Sequence, residues 1–295
     1  LTLSKFDEIE EAISDINNLN LLSKQEQERL GKTVEDVVRE ASLCVGFEEI
    51  ELRRIFGAYG KICLRSLPPP QNPIGAEYDP EEDEPVPCPG WPVLGGLYSI
   101  ILRALDVDPN SCKPFCTMPL VSKTICLLDS EDPREREIVK TIIHKLYGAY
   151  LNLRGPMRKA MQAVLLETVH CAAPHKLAEL LEIFGSIVNG FAVPIREEHV
   201  QVFLKRCLLP LHTLSNTPSA SSNQLTTFFP QMAYCVVQFA EKDPGLSPFI
   251  VQYILRHWPR HNSLHEVLFL GELEEILDHM DGNMINMVKH DLITR

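Results

Sequence analysis

Apolar residues recur at three- and four-residue spacing in segment after segment of this chain, and that period restricts the architecture more than any other feature. Side chains three or four apart share one face of an α-helix. A half-buried strand needs alternation, and alternating runs bounded by hairpin turns are hard to find. The spacing predicts an all-α fold with helices over roughly 5–18, 24–43, 47–66, 92–107, 118–129, 133–152, 155–171, 175–190, 195–212, 225–241, 247–258 and 264–280. With 295 residues, 45% of them apolar, the chain can bury a substantial core.

Helix starts are signalled chemically. In "SEDPRERE", Asp132 can cap, Pro133 suits the first helical position, and Glu135 falls where a capping-box carboxylate sits. The Asp-Pro opening returns at Asp243 and Pro244. The interval holds two or three helix pairs of about 40 residues, the size of a HEAT or armadillo unit. One α-solenoid of such pairs over residues 1–295 explains the lack of a domain break better than a bundle does. The chain starts at Leu and stops at "VKHDLITR" within a helical pattern, and reads as a segment of a longer protein.

Residues 67–92, "LPPPQNPIGAEYDPEEDEPVPCPGWP", interrupt the helices. Their prolines forbid helix and their six carboxylates repel one another, so the segment is either a solvated linker or a loop anchored by Tyr78 and Trp91. "SNTPSASSNQ", residues 215–224, has the composition of a flexible insertion.

The net charge of -12 is uneven: residues 1–92 hold 9 of the 28 basic and 19 of the 40 acidic residues. A role driven by phosphate neutralisation on nucleic acid is therefore not expected. Against that background, residues 140–166 carry Lys140, Lys145, Arg154, Arg158 and Lys159 and no acid, the surface best suited to an anionic partner. Nine scattered cysteines without a Cys-x-x-Cys pair fit reduced thiols in cytosol or nucleus. No apolar run reaches the roughly 18 residues of a membrane span.

His257, His261 and His265 are spaced four apart, but Pro259 breaks the helix that would align them, and "CKPFC" lacks a second ligand pair. There is no Gly-x-Ser-x-Gly elbow and no phosphate-binding glycine loop. No metal, no cofactor and no catalytic centre are expected.

What stands out is "IVKTIIHKLYGAYLNLR", residues 138–154. On a helical wheel Val139, Ile142, Ile143, Leu146, Tyr150 and Leu153 form an apolar sector, with Lys140, His144, Tyr147, Leu151 and Arg154 beside it and Lys145 elsewhere but with reach. The second sector mixes an apolar floor with donors suited to a carboxylate. In "LAELLEIFGSIVNGF", residues 177–191, Leu177, Leu181, Phe184 and Val188 can face a core while Leu180, Ile183 and Ile187 line a groove. The next helix opens "VPIREEHV", placing Arg196 and His199 near an N-terminus that favours an incoming carboxylate.

These segments, with "LPPPQNPIGAEYDPEEDEP", "LLDSEDPREREIVKTIIHKLYGAYLNLR", "QMAYCVVQFAEKD" and "EVLFLGELEEILD", resemble the B-prime regulatory subunits of protein phosphatase 2A from about Phe56 to Asp278. The resemblance implies a HEAT-like solenoid, here about the first five of the family's repeats. It implies docking on the phosphatase scaffold and catalytic subunits in cytoplasm or nucleus, with no enzymatic activity of its own. It also implies a groove for short segments of the form Leu-x-x-Ile-x-Glu, comprising His144, Lys145, Tyr147, Arg154, Arg158, Ile183, Ile187, Arg196 and His199. The rival expectation is a peptide-binding scaffold that no longer assembles with the phosphatase core. Lys145 replaces the family's usual Arg, which removes the planar fork, and Arg196 replaces its usual Lys. Gly155 and Pro156 stand where the family usually has Ala and an aromatic residue.

Overall fold

The computed structural model describes residues 3–12, 23–69, 71, 84–170, 177–216 and 222–295. Every regular element among them is helical, and the chain is all-α. It divides into two compact units, residues 1–69 with 85–160, and 70–84 with 161–295. Most of the acidic loop, with Tyr78, lies outside the described residues, as does the middle of the Ser-rich loop.

The first unit contains α1 (Leu3–Ala12), α2 (Lys24–Leu43), α3 (Glu49–Ala58), α4 (Trp91–Val107), α5 (Pro109–Cys112), α6 (Met118–Cys126), α7 (Pro133–Ala149) and the start of α8 (Leu151–His170). α2 begins where the sequence predicts, because Ser23 and Glu26 close a capping box: Ser23 N–H donates to Glu26 Oε2 at 2.9 Å, and Glu26 N–H to Ser23 Oγ at 3.3 Å. α2 packs along α4, and Gly96 makes the approach possible, since a Cβ there would run into Val34. α4 in turn packs on α7.

One expectation about α7 is corrected. Asp132 does cap it, accepting from Arg134 N–H at 2.9 Å, but Glu135 is no capping-box carboxylate. It is fully buried and accepts from Arg65 at 2.5 and 2.7 Å, from the Tyr98 hydroxyl at 2.5 Å and from Ser130 at 2.5 Å. A carboxylate with no water around it persists only when its oxygens are satisfied this fully. Burial opposes the charge on Arg65, but the bonds to Glu135 outweigh it and hold the guanidinium above its ordinary pKa.

The second unit contains the rest of α8, then α9 (Leu177–Asn189), α10 (Glu197–His199), α11 (Leu209–Leu211), α12 (Ser222–Lys242), α13 (Ser247–Arg256), α14 (Ser263–Asp278) and α15 (Gly282–Thr294). Wide helical turns over Val200–Leu208 join α10 to α11. α9 packs along α12, α12 on α14, and α13 on both α14 and α15. Within each unit helices thus pack on near neighbours in sequence, the contact pattern of an α-solenoid.

At the centre of this unit a buried His212 meets Glu272 through Nε2 at 2.8 Å and the Leu209 carbonyl through Nδ1 at 2.9 Å, with the Phe269 ring 5.4 Å away. Burial disfavours the imidazolium, yet Glu272 and the carbonyl prevail, and the His212 pKa lies above its ordinary value. A raised folded-state pKa means that the stabilisation is complete below the unfolded-state value of about 6.5 and fades as pH rises through the folded-state value. The stability gap between wild type and His212→Gln should therefore narrow as pH rises above about 6.5. Thermal melts of both proteins across that range check it; a constant gap contradicts the ion pair.

Buried thiols occur in both units. Cys63 and Cys112 lie in the first and Cys207 and Cys235 in the second, each with no exposed surface, whereas Cys126 is exposed.

Candidate functional site

The apolar sector read from residues 138–154 is the buried one: Val139, Ile142, Ile143, Leu146, Tyr150 and Leu153 are all interior. The break expected between residues 152 and 155, however, comes earlier. α7 stops at Ala149, Tyr150 adopts an extended backbone at φ -118 and ψ 94, and α8 starts at Leu151. Tyr150 is held in the turn by its hydroxyl, which donates to the Pro109 carbonyl at 2.7 Å.

The break places Arg154 beside the end of α7 rather than one turn further along it. Its Nε donates to the Tyr147 carbonyl at 2.9 Å and its Nη2 to the Gly148 carbonyl at 3.0 Å, two of the carbonyls a helix end leaves without intrahelical donors. The same guanidinium lies 5.3 Å from the centre of the Tyr147 ring. Arg158, one turn on in α8, donates to the Tyr147 hydroxyl at 2.9 Å. Tyr147 is thus held by two arginines that are both half-buried, and among the described residues neither pairs with a carboxylate. Two of Arg154's five donors are committed to α7, and the others remain for an anion. His144 is exposed on α7 one turn before Tyr147, and Leu151 is 73% exposed.

Lys145 is engaged elsewhere. Its ammonium pairs with Asp106, near the end of α4, in a partly exposed contact. The bidentate fork that Lys cannot supply is therefore not called upon there; a point charge suffices for one carboxylate oxygen.

The remaining candidates lie in the second unit. Leu177, Leu180, Leu181, Ile183, Phe184, Ile187 and Val188 of α9 are all buried, so the wide apolar arc does not divide into a core half and an open half. Ile183 and Ile187 are 2% and 4% exposed and show a ligand only their edges. Arg196 is exposed at the N-cap of α10. His199 stacks on Phe191 with ring centres 4.2 Å apart and meets Phe203 edge-on at 5.6 Å.

Among the described residues no group of three or more His, Cys, Asp or Glu is gathered to hold a metal, and no helix is long and apolar enough to cross a membrane. In the first unit the arrangement suits one kind of chemistry: a fixed aromatic ring flanked by two cations, able to receive a carboxylate or phosphate beside an apolar side chain.

Comparison with known proteins gives a consistent result. The family model described as "Protein phosphatase 2A regulatory B subunit (B56 family)" matches residues 12–295. The chain is 44% identical over 233 residues to the serine/threonine-protein phosphatase 2A 56 kDa regulatory subunit delta isoform of Oryctolagus cuniculus, covering 78% of this chain and 38% of that one. It is 43% identical over 219 residues to the delta isoform of Saccharomyces cerevisiae, covering 73% and 28%, and 42% identical over 236 residues to the alpha isoform of Homo sapiens, covering 78% and 46%. The chain thus spans less than half the length of these relatives.

Proposed function

The chain belongs to the B56 family of protein phosphatase 2A regulatory subunits, and from that membership we propose that it is a non-catalytic targeting subunit: it associates with the phosphatase scaffold and catalytic subunits and brings to them proteins bearing Leu-x-x-Ile-x-Glu segments. The observation that carries the peptide-binding part is the Tyr147, Arg154 and Arg158 cluster, because two half-buried guanidinium groups without a carboxylate partner form a ready anion site.

In this reading the ligand's Glu, and any phosphate near it, bonds to the free donors of Arg154 and Arg158, with His144 as a further donor. Each charge-assisted bond contributes about 1.5–3 kcal/mol. The exposed Leu151 and the faces of Tyr147 and His144 offer apolar contact for an adjacent aliphatic side chain, whose burial contributes about 1.5–3 kcal/mol before ordering costs. Ile183, Ile187, Arg196 and His199 are named for peptide binding by the family resemblance alone. Lys145 supports α7 through Asp106.

After the cost of ordering the peptide, a dissociation constant in the micromolar range, about -8 kcal/mol, is expected. Fluorescence anisotropy with a labelled Leu-x-x-Ile-x-Glu peptide tests it against a peptide in which Ala replaces the Glu. Equal affinities for the two, or none for either, refute the anion site. Co-precipitation with the scaffold and catalytic subunits tests assembly separately.

A further inference from the structure

Between α9 and α12, wholly within the second unit, lies a surface hollow of about 380 Å³ lined by Glu182, Ser186, Pro230, Gln231 and Tyr234. That volume falls in the range of small-ligand sites. The hollow is built rather than incidental. Gly185 has no side chain where any Cβ would come within 2.8 Å of the Tyr234 ring, so the ring lies against the α9 backbone while 45% of the residue stays exposed.

Its polar lining is one-sided. Glu182 supplies a carboxylate, Ser186 a hydroxyl, and Gln231 a side-chain oxygen that is buried without a hydrogen-bond donor. Pro230, inside α12, has no N–H to offer. Among the described residues no cationic side chain lines the hollow. A buried acceptor without a partner is costly, so the missing chemistry is a donor, and the carboxylate favours a charged one.

The geometry points to a recognition pocket for an arginine side chain carried by a partner protein. A guanidinium stacks flat on the exposed Tyr234 ring, as a cation on an aromatic face, and its planar fork can donate at once to the Glu182 carboxylate and the orphaned Gln231 oxygen. A lysine ammonium, a compact and strongly hydrated charge, cannot stack and serve two separated acceptors in one plane. Glu182 and Ser186 are exposed at the rim, so the pocket admits a side chain from outside. It shares no residue with the Tyr147, Arg154 and Arg158 cluster and does not depend on it.

The test is titration of the isotopically labelled chain with Nα-acetyl-arginine amide, followed by NMR at the Gln231 side-chain amide and the Gly185 backbone amide. Saturable shifts at both, with a dissociation constant of about millimolar for so small a probe, are expected. The citrulline analogue, equal in shape but uncharged, should bind about tenfold more weakly, as should the lysine analogue and the Glu182→Gln variant. Gln231→Leu should lose arginine affinity with an unchanged or higher Tm, because it removes a buried oxygen that has no partner. Shifts absent from these two amides, or equal binding of citrulline or lysine, or an unchanged affinity in Glu182→Gln overturn the proposal.

Discussion

Arg154→Glu is expected to weaken binding of a Leu-x-x-Ile-x-Glu peptide by about 100-fold or more. The change removes charge-assisted bonds of about 1.5–3 kcal/mol and sets a carboxylate against the ligand's own. Arg154 also has a structural task, however, since it donates to the Tyr147 and Gly148 carbonyls at the end of α7. Losing those bonds alone should lower stability by about 1–2 kcal/mol. Two companion variants separate the effects. Arg158→Glu removes only the bond to the Tyr147 hydroxyl, so it should weaken the peptide strongly at little cost to the fold. Arg154→Lys keeps the charge, loses the fork, and should retain part of the affinity. Anisotropy for affinity and urea denaturation for stability give the two readouts; wild-type affinity in both charge reversals would remove the cluster from the site.

Arg65→Leu should destabilise the protein by about 3–5 kcal/mol, the usual cost of leaving one partner of a buried ion pair alone. Arg65 is 8% exposed at its side chain and Glu135 is not exposed at all, so water cannot replace the lost donors. Tyr98 and Ser130 would still donate to Glu135, and their bonds place the loss at the lower end of that range. Replacing both members, Arg65→Leu with Glu135→Leu, should recover most of the stability, because no buried charge is left unpaired. Urea denaturation of the two variants decides it: a double variant as unstable as the single one would show that packing, not charge, is the source of the loss.

Much of the fold is legible in the residues and some of it is not, for physical reasons. The start of α2 is legible because Ser23 and Glu26 act on each other over three residues. Asp132 and Pro133 announce α7 in the same local way. A break near this point is legible, but its place at Tyr150 is hidden, since Tyr150 and Leu153 stay buried and the apolar period runs through the turn without interruption. Only Gly148, two residues before Tyr150, hints at the earlier end.

Glu135 is misread because its decisive partner, Arg65, is 70 residues away and leaves no local trace. For the candidate site, residue types were enough to single out Tyr147 and Arg154, whereas Arg158 entered only through the basic stretch of residues 140–166 and the family resemblance. The helical wheel that grouped Tyr147 with Arg154 was not the geometry that joins them; the turn between two helices does that. Lys145 could not be placed without knowing that Asp106 lies within reach. The width of the α9 arc was legible, but whether its second half meets solvent depends on what packs over it.

The buried cysteines give the protein internal clocks. Burial raises the thiol pKa of Cys63 and Cys235 well above the ordinary value, to about 12 for Cys112 and to about 11 for Cys207. At neutral pH these groups hold almost no thiolate, the form that reacts with alkylating reagents. In the native state Cys126 should label at once, while the others wait for the surrounding helices to open. Because Cys63 and Cys112 lie in one unit and Cys207 and Cys235 in the other, pulse alkylation followed by mass spectrometry would time the opening of each unit separately, with no probe added to the chain.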